Sequence, residues 1–146
     1  MTDFPPMSEL LPHGPPMLLL DEVLEAGPEH AVCTLTLRRD SLFMRDDRVQ
    51  CVVAIEYMAQ AVGAYIGLQT RKSGGPPRAG FLVGAREATF AVDELQAGDV
   101  LEVRVDVIAA DDVRGSFHCR VSRRGTQVAA ATLSIYGGPA PASEDA

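Results

Sequence analysis

QCVVAIEYMAQAVGAYIGLQT, residues 50–70, has the length of one long helix and is apolar nearly all the way round. Val52, Ile55, Ala59, Val62 and Ile66 recur at three- and four-residue steps and form one stripe. Ala54, Tyr57, Ala61, Ala64 and Leu68 form another on the opposite side. A helix without a solvent face is a buried one. Yet Glu56 and Gln60 stand in its middle, four residues apart, and so share one face. Burying an ionised carboxylate is costly unless it is paired, hydrogen-bonded or protonated. Two readings follow. Glu56 is an acid–base group, since perturbed carboxylates gather where protons are moved, or it is a structural plug bonded to backbone groups.

The flanking sequence reads as strands. Before the helix, residues 17–24 are an apolar run carrying Asp21 and Glu22. In residues 30–38, Ala31, Cys33, Leu35 and Leu37 alternate with His30, Thr34, Thr36 and Arg38, the pattern of a half-buried strand. Residues 39–50 read as a polar loop. After the helix, RKSGGPPR (residues 71–78) is a breaker-rich connection. Strands are expected over 80–92, with an irregularity at Gly84, over 100–108, around Phe117, Cys119 and Val121, and over 128–136. The sum is an α+β domain, an antiparallel sheet wrapped on one long helix. Its expected limits are residues 8–136, with a flexible start (1–7) and a disordered, Pro-rich acidic tail (137–146). One face of a small sheet does not cover a helix this apolar, so a dimer is expected.

The chain has 146 residues, 47% hydrophobic and 23% charged, the balance of an ordinary globular protein. Its net charge of −7 and pI near 4.8 argue against nucleic acid as a partner. Glu56 and Gln60 interrupt the only apolar run that approaches a bilayer span of roughly 20 residues. MTDFPPMSELLPHG lacks the basic and apolar regions of a secretory signal, so a cytoplasmic protein is expected. The cysteines, Cys33, Cys51 and Cys119, are odd in number and far apart, which suits neither a metal pair nor a disulfide framework. Cys33 and Cys119 read as small buried hydrophobes, and Cys51 stands just before the helix, where a thiol can be activated.

Walker, GxGxxG, HExxH and G-x-S-x-G motifs are all missing from the sequence. Glu56 and three histidines remain. His30 and His118 fall on the polar phase of strands and read as solvated. His13 lies in LPHGPPM (residues 11–17), where three prolines and a glycine force a rigid loop, and ordered loops tend to hold functional groups. Its alternative role is to close that loop onto a backbone carbonyl.

LLPHGPPMLLLDEVLE (residues 10–25), IEYMAQAVG (55–63) and ELQAGDVLEVRVDV (94–107) together resemble the hot-dog-fold 3-hydroxyacyl-[acyl-carrier-protein] dehydratases. The similarity spans residues 8–136 and is nearest the branch associated with aryl polyene biosynthesis. It implies a sheet wrapped round a central helix, a dimer with its site at the interface, and elimination of water from a 3-hydroxyacyl thioester by a helix acid and a histidine. The acid maps onto Glu56 and the glutamine after it onto Gln60. Better-known members carry their histidine in a Gly-His-Phe-Pro-Gly-like loop just before the helix. Here that region reads RDDRVQCVV, without histidine. Either His13 has taken the base role, or the chain is a partner subunit.

For such a reaction, N–H groups at the helix start, around Val53 and Ala54, are placed to meet enolate charge. Neutral His13 suits proton abstraction, and protonated Glu56 suits donation to the leaving hydroxyl. Met58 and Tyr65 are candidates to line the acyl slot, with no metal or organic cofactor required. Acyl carrier proteins are acidic, so docking needs a local basic patch, for which Arg71, Lys72, Arg78 and Arg86 are candidates. Two alternatives stand beside the dehydratase: an acyl thioesterase using Glu56, and a non-catalytic acyl-binding subunit that completes an active homologue.

Overall fold

The computed structural model describes residues 4–11, 14, 16–74, 81–111 and 113–136. Its elements run α1 (Met7–Leu10), β1 (Glu22–Ala26), β2 (His30–Thr36), β3 (Arg48–Gln50), α2 (Ala54–Ser73), β4 (Phe81–Phe90), β5 (Glu94–Gln96), β6 (Val100–Ala110), β7 (Arg114–Arg123) and β8 (Thr126–Tyr136). A 3-10 turn over Cys51–Val53 leads into α2. Six strands form one antiparallel sheet in the order β1-β2-β6-β7-β8-β4. β3 and β5 pair separately as a short ribbon.

Alternation sets the register. Ala31, Cys33 and Leu35 lie opposite Val105, Val103 and Leu101, and the row continues through Cys119 and Val121 to Ala131 and Ala129. All of these side chains are buried, so a slip of one residue would expose the whole set. α2 lies across this inner face with Ala54, Tyr57, Met58, Ala61, Ala64 and Leu68 buried. It ends at Gly74, whose φ of 75° is a left-handed cap, with Arg71 and Lys72 in the last turn at the negative end of the dipole.

Four expectations need correction. First, the helical stretch is not buried all round: Val52, in the 3-10 turn that leads into α2, is 61% exposed, and Ile55, Ala59 and Ile66 of α2 are only half-buried. One sheet covers one side of a helix and no more, and half of the strongest apolar window of α2 is buried in the fold. Second, β1 begins at Glu22 rather than Met17, because residues 17–20 follow α2 instead of pairing. Third, the domain starts before residue 8: Met7 is in α1 and buried, and Phe4 packs against the core. Fourth, the polar loop of residues 39–50 contains β3, whose Val49 is buried opposite Leu95. The irregularity expected at Gly84 is present as a register shift between Leu82 and Gly84. The tail over 137–146 lies outside the described residues.

The three thiols are buried and unpaired. Burial pushes Cys33 and Cys119 up to about 12. Burial also raises Cys51, whose Sγ points to the Val128 carbonyl, so the pre-helix cysteine is not an activated nucleophile.

Candidate active site

Glu56 stands in the first turn of α2, where the helix dipole favours a carboxylate, and it is half-buried rather than enclosed. The deeply buried polar group of this helix is Gln60, 1% exposed, and its amide is fully used. Its Nε2 donates to the Met17 carbonyl at 2.7 Å and to Glu56 Oε2 at 3.1 Å. Its Oε1 accepts the Leu19 N–H at 3.0 Å. Each bond has a direction that only an amide supplies, both donor and acceptor on one side chain. Gln60 thereby ties the segment entering β1 to the helix and fixes the carboxylate beside it. Because Oε2 accepts from an amide N–H, Oε1 is the carboxyl oxygen left to hold or give a proton.

The same ridge of α2 continues as Gly63, Gly67 and Arg71, at steps of three and four residues from Gln60. A Cβ on Gly63 would meet Leu11 Cδ2 at 2.8 Å, and one on Gly67 would meet the Leu10 carbonyl oxygen at 2.7 Å. Arg71 pairs with Glu9 at 3.4 Å. Glu9, Leu10 and Leu11 thus meet the C-terminal half of this ridge, and Met17 and Leu19, the far end of the same strap, meet it at Gln60, next to Glu56. No motif marks these contacts in the sequence. Their signal is the helical spacing of Glu56, Gln60, Gly63 and Gly67, with only polar or absent side chains.

Other candidates fall elsewhere. His13 and Arg78 lie outside the described residues. His30 Nε2 sits 2.7 Å from Glu25 Oε2, and His118 is exposed on the outer face of β7, so neither approaches Glu56. Met58 is 0% exposed, among the buried residues of α2. Tyr65 is nine residues past Glu56, about 14 Å along the axis and half a turn round it. Its hydroxyl donates to the Pro28 carbonyl and its ring lies edge-on to Phe117. The apolar positions on the open side of Glu56 are Val52, Ile55 and Ala59.

The 3-10 turn closes with the Ala54 N–H on the Cys51 carbonyl, so Ala54 is not a free donor for an oxyanion. Val53 precedes Glu56 by three residues and shares its side of the helix. Among the described basic candidates, Arg71 is paired with Glu9, Lys72 is exposed at the end of α2, and Arg86 lies opposite Thr132, in the row that faces away from the helix.

A model of the ApeP-like family, described as ApeP dehydratase, matches residues 5–144. The chain belongs to the ApeP-like dehydratase family. One chain of the dehydratase heterocomplex ApeI:P from Xenorhabdus doucetiae is 31% identical, with a TM-score of 0.90, over 94% of this chain and 93% of that one. A hypothetical thioesterase with coenzyme A from Streptococcus pneumoniae is 14% identical, with a TM-score of 0.62, over 80% of this chain and 84% of that one. The Escherichia coli PaaI protein is also 14% identical, with a TM-score of 0.62, over 79% and 81%. These two show the hot-dog fold alone. No curated protein matches the chain.

Proposed function

We propose that this ApeP-like dehydratase removes water from 3-hydroxyacyl thioesters, carried on an acyl carrier protein and destined for an aryl polyene chain. The supporting observation is the Gln60 clamp, which holds the Glu56 carboxylate by Oε2 and leaves Oε1 free in a half-open first turn. In this reading His13 takes the C2 proton, and the electron pair moves into the thioester as enolate. The positive end of α2, around Val53, meets the charge that develops on the carbonyl oxygen. The pair then returns to form the C2–C3 double bond as the C3–O bond breaks, and protonated Glu56 gives its proton to the departing hydroxyl, which leaves as water. The imidazolium and carboxylate that remain exchange a proton to restore the starting state.

The same reading includes a homologous partner. Val52 is exposed beside Phe90 of β4, and Ile55, Ala59 and Ile66 are half-buried; on β4, Leu82 and Phe90, 43% and 37% exposed, lie opposite the core-facing Ile135 and Ala129. β4 also ends the sheet with one side unpaired among the described residues, which is a template for a further strand. A second hot-dog subunit would cover both, and the relative from Xenorhabdus doucetiae is a heterocomplex.

One observation favours the non-catalytic-subunit reading: residues 45–53 carry no histidine. Incubating the chain, alone and with a copurifying homologue, with 3-hydroxyacyl thioesters and following mass decides between them. Loss of one water by the chain alone supports His13 as base. Turnover only with the homologue, insensitive to Glu56→Gln, makes the chain a scaffold. A free acid product would make it a thioesterase.

A further inference from the structure

We infer that Arg114 holds the phosphate of the carrier's phosphopantetheine arm, which lies along α2 from a cavity at the end of the helix to Glu56. The inference rests on the reading of the substrate as a carrier-bound thioester and names where its arm sits. The cavity, of about 220 Å³, lies between the last turns of α2 and the tip of the β6–β7 hairpin. Ile66, Gln69 and Thr70 stand on its helix side, and Ala110, Arg114 and Phe117 on its hairpin side. Its floor is apolar and closed, since Phe117 is 2% exposed and Ile135 5%, while its rim carries the exposed Arg114. That volume falls below the roughly 300–1,000 Å³ of a whole-ligand site and suits one part of a longer molecule. Arg114 and Ile135 also border a wider groove at the end of the sheet, which includes Val83 and Tyr136.

Chemistry and length both select the arm. A phosphate, a pair of methyl groups and two amides follow one another along it before the thioester. A guanidinium matches a phosphate in charge and in the geometry of its N–H fork. Arg114 makes no ion pair among the described residues. Asp111 nearby is engaged with backbone, its Oδ1 accepting the N–H groups of Val113 and Arg114 at 2.8 Å. Ile66 and Ile135 offer apolar contact to the methyl groups. Gln69 donates its Nε2 to the Gly27 carbonyl at 3.2 Å, which leaves Oε1 to accept an amide N–H. Thr70 is fourteen residues from Glu56, about 21 Å along the axis. From the phosphorus to C3, the carbon that loses its hydroxyl, there are sixteen bonds, which at roughly 1.2 Å of advance each, as in an extended backbone, reach roughly 19 Å. Over that span Ile66, Ala59 and Ile55 form one half-buried line on the helix, at steps of seven and four residues. A phosphate at Arg114 therefore brings C3 to the level of Glu56.

The test compares phosphopantetheine with pantetheine, which differ by the phosphate alone, by calorimetry on the full chain in its native assembly. The wild type should bind the phosphorylated compound at least ~10-fold more tightly, and Arg114→Gln should remove that preference while leaving pantetheine affinity unchanged. The 3-hydroxyacyl thioesters of the two compounds should show the same split in KM, with kcat of Arg114→Gln within about 2-fold of the wild type. Binding of neither compound, or of both equally, overturns the inference. A preference that survives Arg114→Gln also overturns it, because the phosphate is then held elsewhere in the assembly. So does a loss in Arg114→Gln that grows with acyl length instead of with phosphate, which gives the cavity to the far end of the acyl chain. The calorimetry needs no turnover, so an assembly that shows the preference but eliminates no water keeps the arm site and sinks the dehydration alone.

Discussion

α2 has two ridges that do opposite work. The ridge of Ala54, Tyr57, Met58, Ala61, Ala64 and Leu68 packs on the sheet and is all but sealed. The ridge of Glu56, Gln60, Gly63 and Gly67 carries no side chain that a core would choose, and it packs on the strap instead. The first stabilises by apolar burial, on the order of 2 kcal/mol for each large side chain. The second contributes little burial and instead fixes where backbone and carboxylate sit. One helix therefore separates holding the fold from holding the site, and substitutions on the two ridges should fail in different ways.

The largest effect is expected at the start of the second ridge. Glu56→Gln should lower turnover by at least ~100-fold while leaving the thermal midpoint at or above the wild type, because the amide is nearly isosteric and uncharged. His13→Ala should lose a similar factor, and the double variant little more, since groups acting as a unit are non-additive. Steady-state kinetics beside a melt checks all three. A His13→Ala protein that is folded and fully active would remove His13 from the reaction and shift the base to a partner subunit.

Met58→Ala, about half a turn round the helix from Glu56, should do the reverse. It empties a fully buried site and should cost about 2–5 kcal/mol of stability by denaturant unfolding, with activity per folded molecule intact. Loss of specific activity at unchanged stability would contradict the division between the ridges.

Much of this division is legible in the sequence. Five of the six large-sheet strands are legible, three of them (β2, β6 and β7) from period-two alternation; β1 begins later than its apolar run suggests, because such a run does not say whether it pairs or merely packs. The strap was not legible as a strand or helix, since its contacts are main chain against absent side chains. Apolar periodicity suggested a helix buried on all sides because it records which residues avoid water, not which chain shields them. The Glu56–Gln60 pair is legible from spacing alone, but only the amide is deeply buried and the carboxylate is half-open. Met58 and Tyr65 suit an acyl slot by side-chain type, but their positions on the helix turn them away from Glu56.

The open stripe gives a third expectation, of intermediate size. Val52→Lys and Ile66→Lys place charges where a partner subunit is proposed to lie, and each should weaken assembly at least ~10-fold by sedimentation. Neither touches the sheet-facing ridge, so the monomer should stay folded. An unchanged assembly would mean that α2 keeps its exposed stripe in solution and that β4 does not lead to a partner.

The smallest effect is expected where the strap begins, at Arg71 and Glu9. Both side chains are about half exposed, 52% and 55%, so solvent screens the pair and Arg71→Gln should cost under ~0.5 kcal/mol. Arg71 also neighbours Lys72 and is a candidate for carrier docking, so its two roles must be separated. The charge swap Arg71→Glu with Glu9→Arg restores the ion pair while moving the positive charge from the helix to the strap. It places an acid in the last turn of α2, which costs about 0.3–1 kcal/mol against the dipole, a penalty that leaves the fold intact. If the pair only anchors the strap, the swap should return KM for carrier-bound substrate to that of the wild type. If Arg71 and Lys72 dock an acidic carrier, Arg71→Glu and Lys72→Glu should each raise that KM several-fold and leave a small thioester unaffected, and the swap should not fully rescue Arg71→Glu. Equal effects on both substrates would assign Arg71 to the strap and exclude docking at this end of the helix.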